Sequence, residues 1–193
     1  MDEKNPLWRS RAAALVEASL SRPWLSHSRE VARLACELCD RFRIAEEMGY
    51  IAGMAHDLAR ELSPAEIVLL CEGDGLPTTD AQRENPLLLH GRAAAVLLCK
   101  NTGYDAPDVL QAIRDHVTGR GGMGPLSRII FAADYLEPTR DFVSPEFRRR
   151  TLGLSLNEMV LAVLERKIRA VSADSREISP ESLTLREELR AHA

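Results

Sequence analysis

Apolar residues recur along this chain at three- and four-residue spacing, which predicts helices almost throughout and no strand. WRSRAAALVEASL (8–20) reads as a first helix. A second spans 28–43, with Val31, Leu34, Ala35 and Leu38 on one face and Ser26 or Ser28 as its cap. A third covers about 45–60 and stops before Ser63-Pro64, where PAEIVLLCEG opens a short helix with proline in its first turn. GDGLPTTDAQREN (73–85) is polar and rich in turn formers, so it reads as a surface loop. Helices follow at about 86–101 and 106–117, then a glycine-rich loop GRGGMGP (119–125), with Pro125 opening a helix through Leu136. Residues 138–145 form another loop. LSLNEMVLAVLERKIRAV (154–171) is a long amphipathic helix, and ESLTLREELRAHA a polar helix or tail. No repeat is visible. The expectation is an all-α bundle forming a single domain over 1–193, its motif-bearing core at about 20–165 and the packing of 172–193 unassigned.

Certain polar residues break this pattern. His56 and Asp57 sit side by side in YIAGMAHDLA, a run of small and apolar residues. Of the five histidines, His192 lies in the tail, while each of the others falls on an apolar stripe. His27 leads into Val31 and Leu34, His56 is flanked by Ala52, Gly53 and Ala59, His90 by Leu87, Ala93, Ala94 and Leu97, and His116 by Val109, Ala112 and Ile113. Asp134 follows Leu126 and Ile130 in the same way. An inward carboxylate is costly unless it is paired or binds a cation. One inward histidine is usually a satisfied core residue. Four imidazoles and two carboxylates, with no comparable set of inward lysines, point instead to a metal site. Six donors exceed one tetrahedral zinc, which suggests two ions sharing a carboxylate.

Composition narrows the class. Of the 193 residues, 45% are hydrophobic and 28% charged, as in globular proteins, and the net charge of −4 argues against a nucleic-acid polymer as partner. MDEKNPLWRS lacks a signal-peptide core and no run approaches ~18 apolar residues, so a cytoplasmic, membrane-free protein is expected. Cys36 and Cys39 form a C-x-x-C, but inside a helical pattern and without a second pair. They read as ordinary helix residues.

The order His27, His56-Asp57, His90, His116, Asp134 resembles that of the HD-domain metal-dependent phosphohydrolases, all-α proteins named after the adjacent pair. HSREVARLACELC, AGMAHDLAR, LLHGRAAA, AIRDHVTGR and RIIFAADYLEPTRDF follow one another as in its YqeK-type branch, which is similar to symmetrical diadenosine tetraphosphate hydrolases. The resemblance implies a helical bundle with two divalent ions between its helices, iron being usual. His and Asp donors also accept manganese, zinc or magnesium. It implies that His27, His56, Asp57 and Asp134 hold one ion, and that Asp57 bridges to a second held by His90 and His116. The implied reaction is hydrolysis of diadenosine tetraphosphate to two ADP, with ADP- or GDP-like nucleotides in the pocket. A water held by two such ions would be ionised near neutral pH and could attack phosphorus in line.

Arg60 departs from the family, which often has lysine three residues after the pair. Arginine keeps the charge and binds phosphate bidentately but donates no proton near neutral pH. Asp57 and Arg60 are thus the candidates for a direct part in catalysis. Arg60, Arg120 and Arg140 each follow a candidate ligand segment and are placed to bind phosphate. Thr118, Gly119 and the following glycines offer backbone amides for the same purpose, and Asp141 is placed to orient Arg140 or a water. Competing activities are another HD reaction (nucleotidase, nucleoside triphosphate hydrolase or phosphodiesterase) and a catalytically silent nucleotide-binding module. The 154–171 helix offers a face for a homodimer.

Overall fold

Proline and serine at helix starts set much of the architecture. In a computed structural model the described residues are 7–175 and 177–191, which leaves His192 outside them. They form α1 (Leu7–Ser19), α2 (Arg22–Arg41), α3 (Glu46–Ala55), α4 (Pro64–Glu72), α5 (Asp80–Glu84), α6 (His90–Thr102), α7 (Pro107–Asp115), α8 (Pro125–Leu136), α9 (Pro145–Leu152), α10 (Leu156–Ala173) and α11 (Pro180–Ala191). A 3-10 turn, Pro86–Leu89, precedes α6, and no strand occurs among the described residues. The all-α expectation holds. None of these helices is long and apolar enough to cross a membrane.

Several boundaries differ from those expected. α2 starts well before residue 28, because Ser21 takes the extended conformation of an N-cap and Pro23 fits the first turn. Ser28, expected as a cap, is buried within the helix. The 73–85 segment is not all loop, since Thr79 and Gln82 form a capping box that starts α5. Arg92 pins the rest by donating to the Asp74 carboxylate (2.6 and 3.0 Å) and to the Leu76 and Pro77 carbonyls. α9 has no counterpart in the periodic reading. The Ser144 hydroxyl caps it and Pro145 opens it, but too few apolar residues line it to show a stripe. The C-terminal segment is a packed helix, with Leu185 and Leu189 fully buried. The apolar stripe of α10 (Met159, Val160, Val163, Leu164 and Ile168) is buried in the chain itself, where α10 packs on α8 and α11. It is not a free dimer face.

α3 occupies the centre and packs against α1, α2, α6, α7 and α8. Its approach to α2 depends on small residues. A Cβ on Gly53 would lie 2.6 Å from the Ala32 Cα, and one on Gly49 would lie 2.6 Å from the Cys39 Sγ. Backbone cannot yield as a flexible side chain can, so Gly53→Ala forces α3 away from α2 and should lower unfolding stability by about 1–3 kcal/mol. Denaturant titration measures this, and an unchanged midpoint would refute the close-packing account.

Candidate metal centre

The third helix ends at Ala55, immediately before the His-Asp pair, and not near residue 60 as the periodicity suggests. The backbone continues in i→i+3 turns, with the Leu58 N–H on Ala55 O (3.1 Å) and the Arg60 N–H on Asp57 O (2.8 Å). Ending the helix here leaves carbonyls in need of donors. The His56 ring supplies one, its Nδ1 lying 2.7 Å from Gly53 O. The device recurs at the start of α6, where His90 Nδ1 is 2.5 Å from Leu87 O, and at the end of α7, where His116 Nδ1 is 2.8 Å from Ile113 O. His27, inside α2, turns its Nδ1 to the Glu137 carboxylate at 3.0 Å. In each ring an Nδ1–H donor to these acceptors leaves Nε2 as a bare lone pair.

Those lone pairs face one another. His27 and His56 Nε2 are 3.2 Å apart, and His90 and His116 Nε2 are 3.0 Å apart. Asp57 lies between the two pairs and divides its oxygens. Oδ1 is 3.0 Å from His90 Nε2 and 3.6 Å from His116 Nε2, while Oδ2 is 3.5 Å from His56 Nε2 and 3.7 Å from His27 Nε2. Asp134, in the last turn of α8, puts Oδ1 3.2 Å from His27 Nε2 and 3.7 Å from His56 Nε2. The four imidazoles and Asp57 are buried. Two groups of donors thus converge, His27–His56–Asp57 and Asp57–His90–His116. Acceptor atoms this close repel unless a cation or proton sits among them, so the donor set fits metal ions. The helices help, because α3, α7 and α8 end at this point and their C-termini carry partial negative charge.

The titration behaviour shows the same tension. Burial works against the charged form of Asp57, yet His56, His116 and His90 hold its carboxyl well below the usual range. Asp134 is likewise penalised by burial and held low by its closeness to His27 and His56 and by the charges of Lys167 and Arg140. Burial also opposes a charged His27, but hydrogen bonds to Asp134 and Glu137 push its pKa up to about 9. Burial pulls His116 down to about 4. Without an ion, the first pair keeps a proton and His116 stays neutral.

Comparison with known proteins agrees with this geometry. A family model for the HD domain matches residues 24–139. The chain belongs to the HD-domain family. It is a metal-dependent phosphohydrolase. It is 31% identical to a symmetrical bis(5'-nucleosyl)-tetraphosphatase of Bacillus subtilis, over 79% of this chain and 82% of that protein. A protein of the same description from Halalkalibacterium halodurans is also 31% identical, over 91% and 93% of the two chains. Among solved structures, an HD superfamily hydrolase from Clostridium acetobutylicum, described as involved in NAD metabolism, superposes with a TM-score of 0.90 at 30% identity. That match covers 95% of this chain and 97% of the other.

Within this HD domain the other candidate residues divide. Arg60 lies over the Trp24 ring (5.0 Å) with Nη1 3.5 Å from His90 Nδ1, at the edge of the cluster. Arg140 reaches into it, Nη2 lying 2.6 Å from Asp134 Oδ1 and 3.0 Å from His27 Nε2. The contacts of Arg120 run instead to Asp115 Oδ1 (2.9 Å) and the Gly121 carbonyl. Two of the amides expected of the glycine-rich loop are engaged within the fold. The Gly119 N–H is spent on Asp115 O (2.8 Å), and that of Gly122 on the Glu188 carboxylate. Gly119 is needed for another reason. Its φ is +66°, and a Cβ there would lie 2.5 Å from Leu185 of α11. Thr118 gives its carbonyl to the Ser182 hydroxyl at 2.7 Å. Asp141 is exposed, and Arg140 is oriented by Asp134.

Two residues with no role in the periodic reading adjoin the cluster. Glu137 is fully buried, takes the His27 Nδ1–H, and also accepts from the Thr139 amide and hydroxyl, each at 2.6 Å. It fixes the ring that it touches. Its signal is its place directly before Pro138, where α8 must stop. Lys167 donates to His116 O at 3.2 Å from α10, and its signal is a lysine beside Leu164 and Ile168 on an apolar stripe.

Because an ion at His27 must displace the proton held there, divalent-metal affinity should rise about tenfold per pH unit and level off above about 9. Calorimetric titration of the metal-free protein with Mn2+ in buffers of different ionisation enthalpy measures this. Affinity independent of pH, with no proton released, would contradict it.

Proposed function

We propose that this protein cleaves dinucleoside polyphosphates symmetrically, converting diadenosine tetraphosphate to two ADP at a centre of two divalent ions. The observation that carries this reading is the divided carboxylate of Asp57, with one oxygen toward each histidine pair. His27, His56, Asp57 and Asp134 would hold one ion, and Asp57, His90 and His116 the other. The donor chemistry suits iron, and manganese, zinc or magnesium are alternatives. When bound, the ions supply Lewis acidity that neutralises phosphate charge and lowers the pKa of a water toward neutrality. The two similar tetraphosphatases support the choice of substrate.

The protein's own groups bind and orient the polyphosphate. Arg140 is held by Asp134 at the cluster's edge and Arg60 by the face of Trp24, so both guanidiniums meet phosphate oxygens with little loss of freedom. Arginine in place of lysine at position 60 is compatible with this chemistry. The leaving group is a phosphate that remains stable as an anion (second pKa about 6), so bond cleavage needs no proton from Arg60. Asp57 would serve as a charged ligand shared by the two groups, not by proton transfer, because its carboxyl is held far below neutrality.

Chromatography of the products from metal-loaded protein and diadenosine tetraphosphate tests the reading. ADP alone is expected, whereas ATP plus AMP, or intact substrate, would sink it. In the same assay Arg60→Met should lower kcat/KM by about 10²-fold or more, while Arg60→Lys stays within about tenfold of the parent.

A further inference from the structure

A large aromatic side chain in open water is rare in this protein. Among the described residues the strongly exposed large hydrophobics are Leu7, Leu69, Leu76, Leu87 and Phe142, and Phe142 alone is aromatic, at 58% exposure. It stands beside the metal centre. Its ring packs against that of Tyr135 in a T-shaped pair at 5.5 Å, and Tyr135 directly follows Asp134. The Arg140 guanidinium lies 5.8 Å from the centre of the Phe142 ring, while its Nη2 is 2.6 Å from Asp134 Oδ1 and 3.0 Å from His27 Nε2. One arginine thus spans from the cluster to the exposed ring.

The backbone presents this ring firmly. Residues 140–143 form a turn closed by the Val143 N–H on Arg140 O (3.2 Å), and the Val143 side chain is buried in the core. Arg148 donates to the Leu136, Glu137 and Arg140 carbonyls and so fixes the entry to that turn. An aromatic ring already held in place loses little freedom when another ring stacks on it.

A dinucleoside tetraphosphate cut at its centre leaves the cluster in two directions, with a nucleoside at each end. The half whose phosphates lie on Arg140 is led toward Phe142. A nucleobase is a flat π-system and stacks on an aromatic side chain whichever base it is. We propose that Phe142 is the stacking platform for the base of this outward nucleoside, with Arg140 holding the phosphates that join it to the cluster. The proposal rests on the dinucleoside-polyphosphate reading above. It makes Phe142 a specificity residue, which favours substrates with two nucleosides over those with one and discriminates little between bases.

Two probes that resist cleavage isolate that nucleoside. One is diadenosine tetraphosphate with a methylene in place of its central bridging oxygen, and the other is the same molecule lacking one adenosine. A base on an exposed ring is covered on one face only, so a lone nucleoside takes the opposite end and the second adenosine reports Phe142. Calorimetric titration of the metal-loaded protein should find the dinucleoside probe bound at least about tenfold more tightly. Phe142→Ala should reduce its affinity to that of the mononucleoside probe, whose own binding stays unchanged. Phe142→Trp should keep the difference, and Phe142→Leu, apolar but not aromatic, should lose it as Phe142→Ala does. The assignment is overturned if the parent binds the two probes equally, or if Phe142→Ala weakens both alike or neither. It is overturned equally if leucine serves as well as phenylalanine. The two readings fail separately. Uncleaved diadenosine tetraphosphate with the predicted probe pattern removes the reaction and keeps the platform. Clean conversion to ADP with an indifferent Phe142→Ala variant does the reverse.

Discussion

Opposed lone pairs at the centre of the bundle set the terms for the rest of the molecule. Two pairs of imidazole Nε2 atoms stand 3.0 and 3.2 Å apart, with the two oxygens of Asp57 between them. Acceptors do not tolerate such separations in a buried site without positive charge among them. Hydrogen bonds on the far side of each ring prevent escape, because Nδ1 is committed to a carbonyl or to Glu137. The bundle therefore stores an unmet demand for cations. Its metal-free form meets part of that demand with a proton on His27, and Arg140 stands by with a fixed charge.

The helices end where this demand is created. α3, α7 and α8 terminate around one point and α6 begins there, so helix ends and not helix faces carry most of the donors. Small residues make that convergence possible. A Cβ on Gly91, beside His90, would stand 2.7 Å from Ile113 O, so only glycine lets α6 approach the end of α7 closely enough for His90 to meet His116. Behind the cluster, Arg148 donates to the Leu136, Glu137 and Arg140 carbonyls and braces the turn that carries both Glu137 and Arg140. Packing, capping and site chemistry are thus one arrangement.

Much of this was legible in the sequence, for identifiable reasons. Helices opened by proline, such as those at Pro64 and Pro125, could be placed from the chain alone because their start signals are local. The six inward histidines and aspartates stood out because nothing in a bland core explains them. The end of α3 was hidden, since no glycine or proline marks it and the His56 imidazole itself supplies the terminating hydrogen bond. Glu137 and Lys167 were obscured by being ordinary charged residues whose partners lie far away in sequence. The Gly119 amide looked free for a ligand only because its acceptor, Asp115 O, is a backbone atom that composition cannot reveal. Side chains announce chemistry in a sequence, whereas hydrogen-bond acceptors on the backbone appear only in the fold.

The central claim is that one divided carboxylate joins two ion sites. Anomalous X-ray scattering from crystals of anaerobically purified protein, recorded across the absorption edges of the candidate metals, tests it most directly. Two peaks per chain are predicted, one among His27, His56, Asp57 and Asp134, the other among Asp57, His90 and His116. A single peak, or none within reach of Asp57, would contradict it.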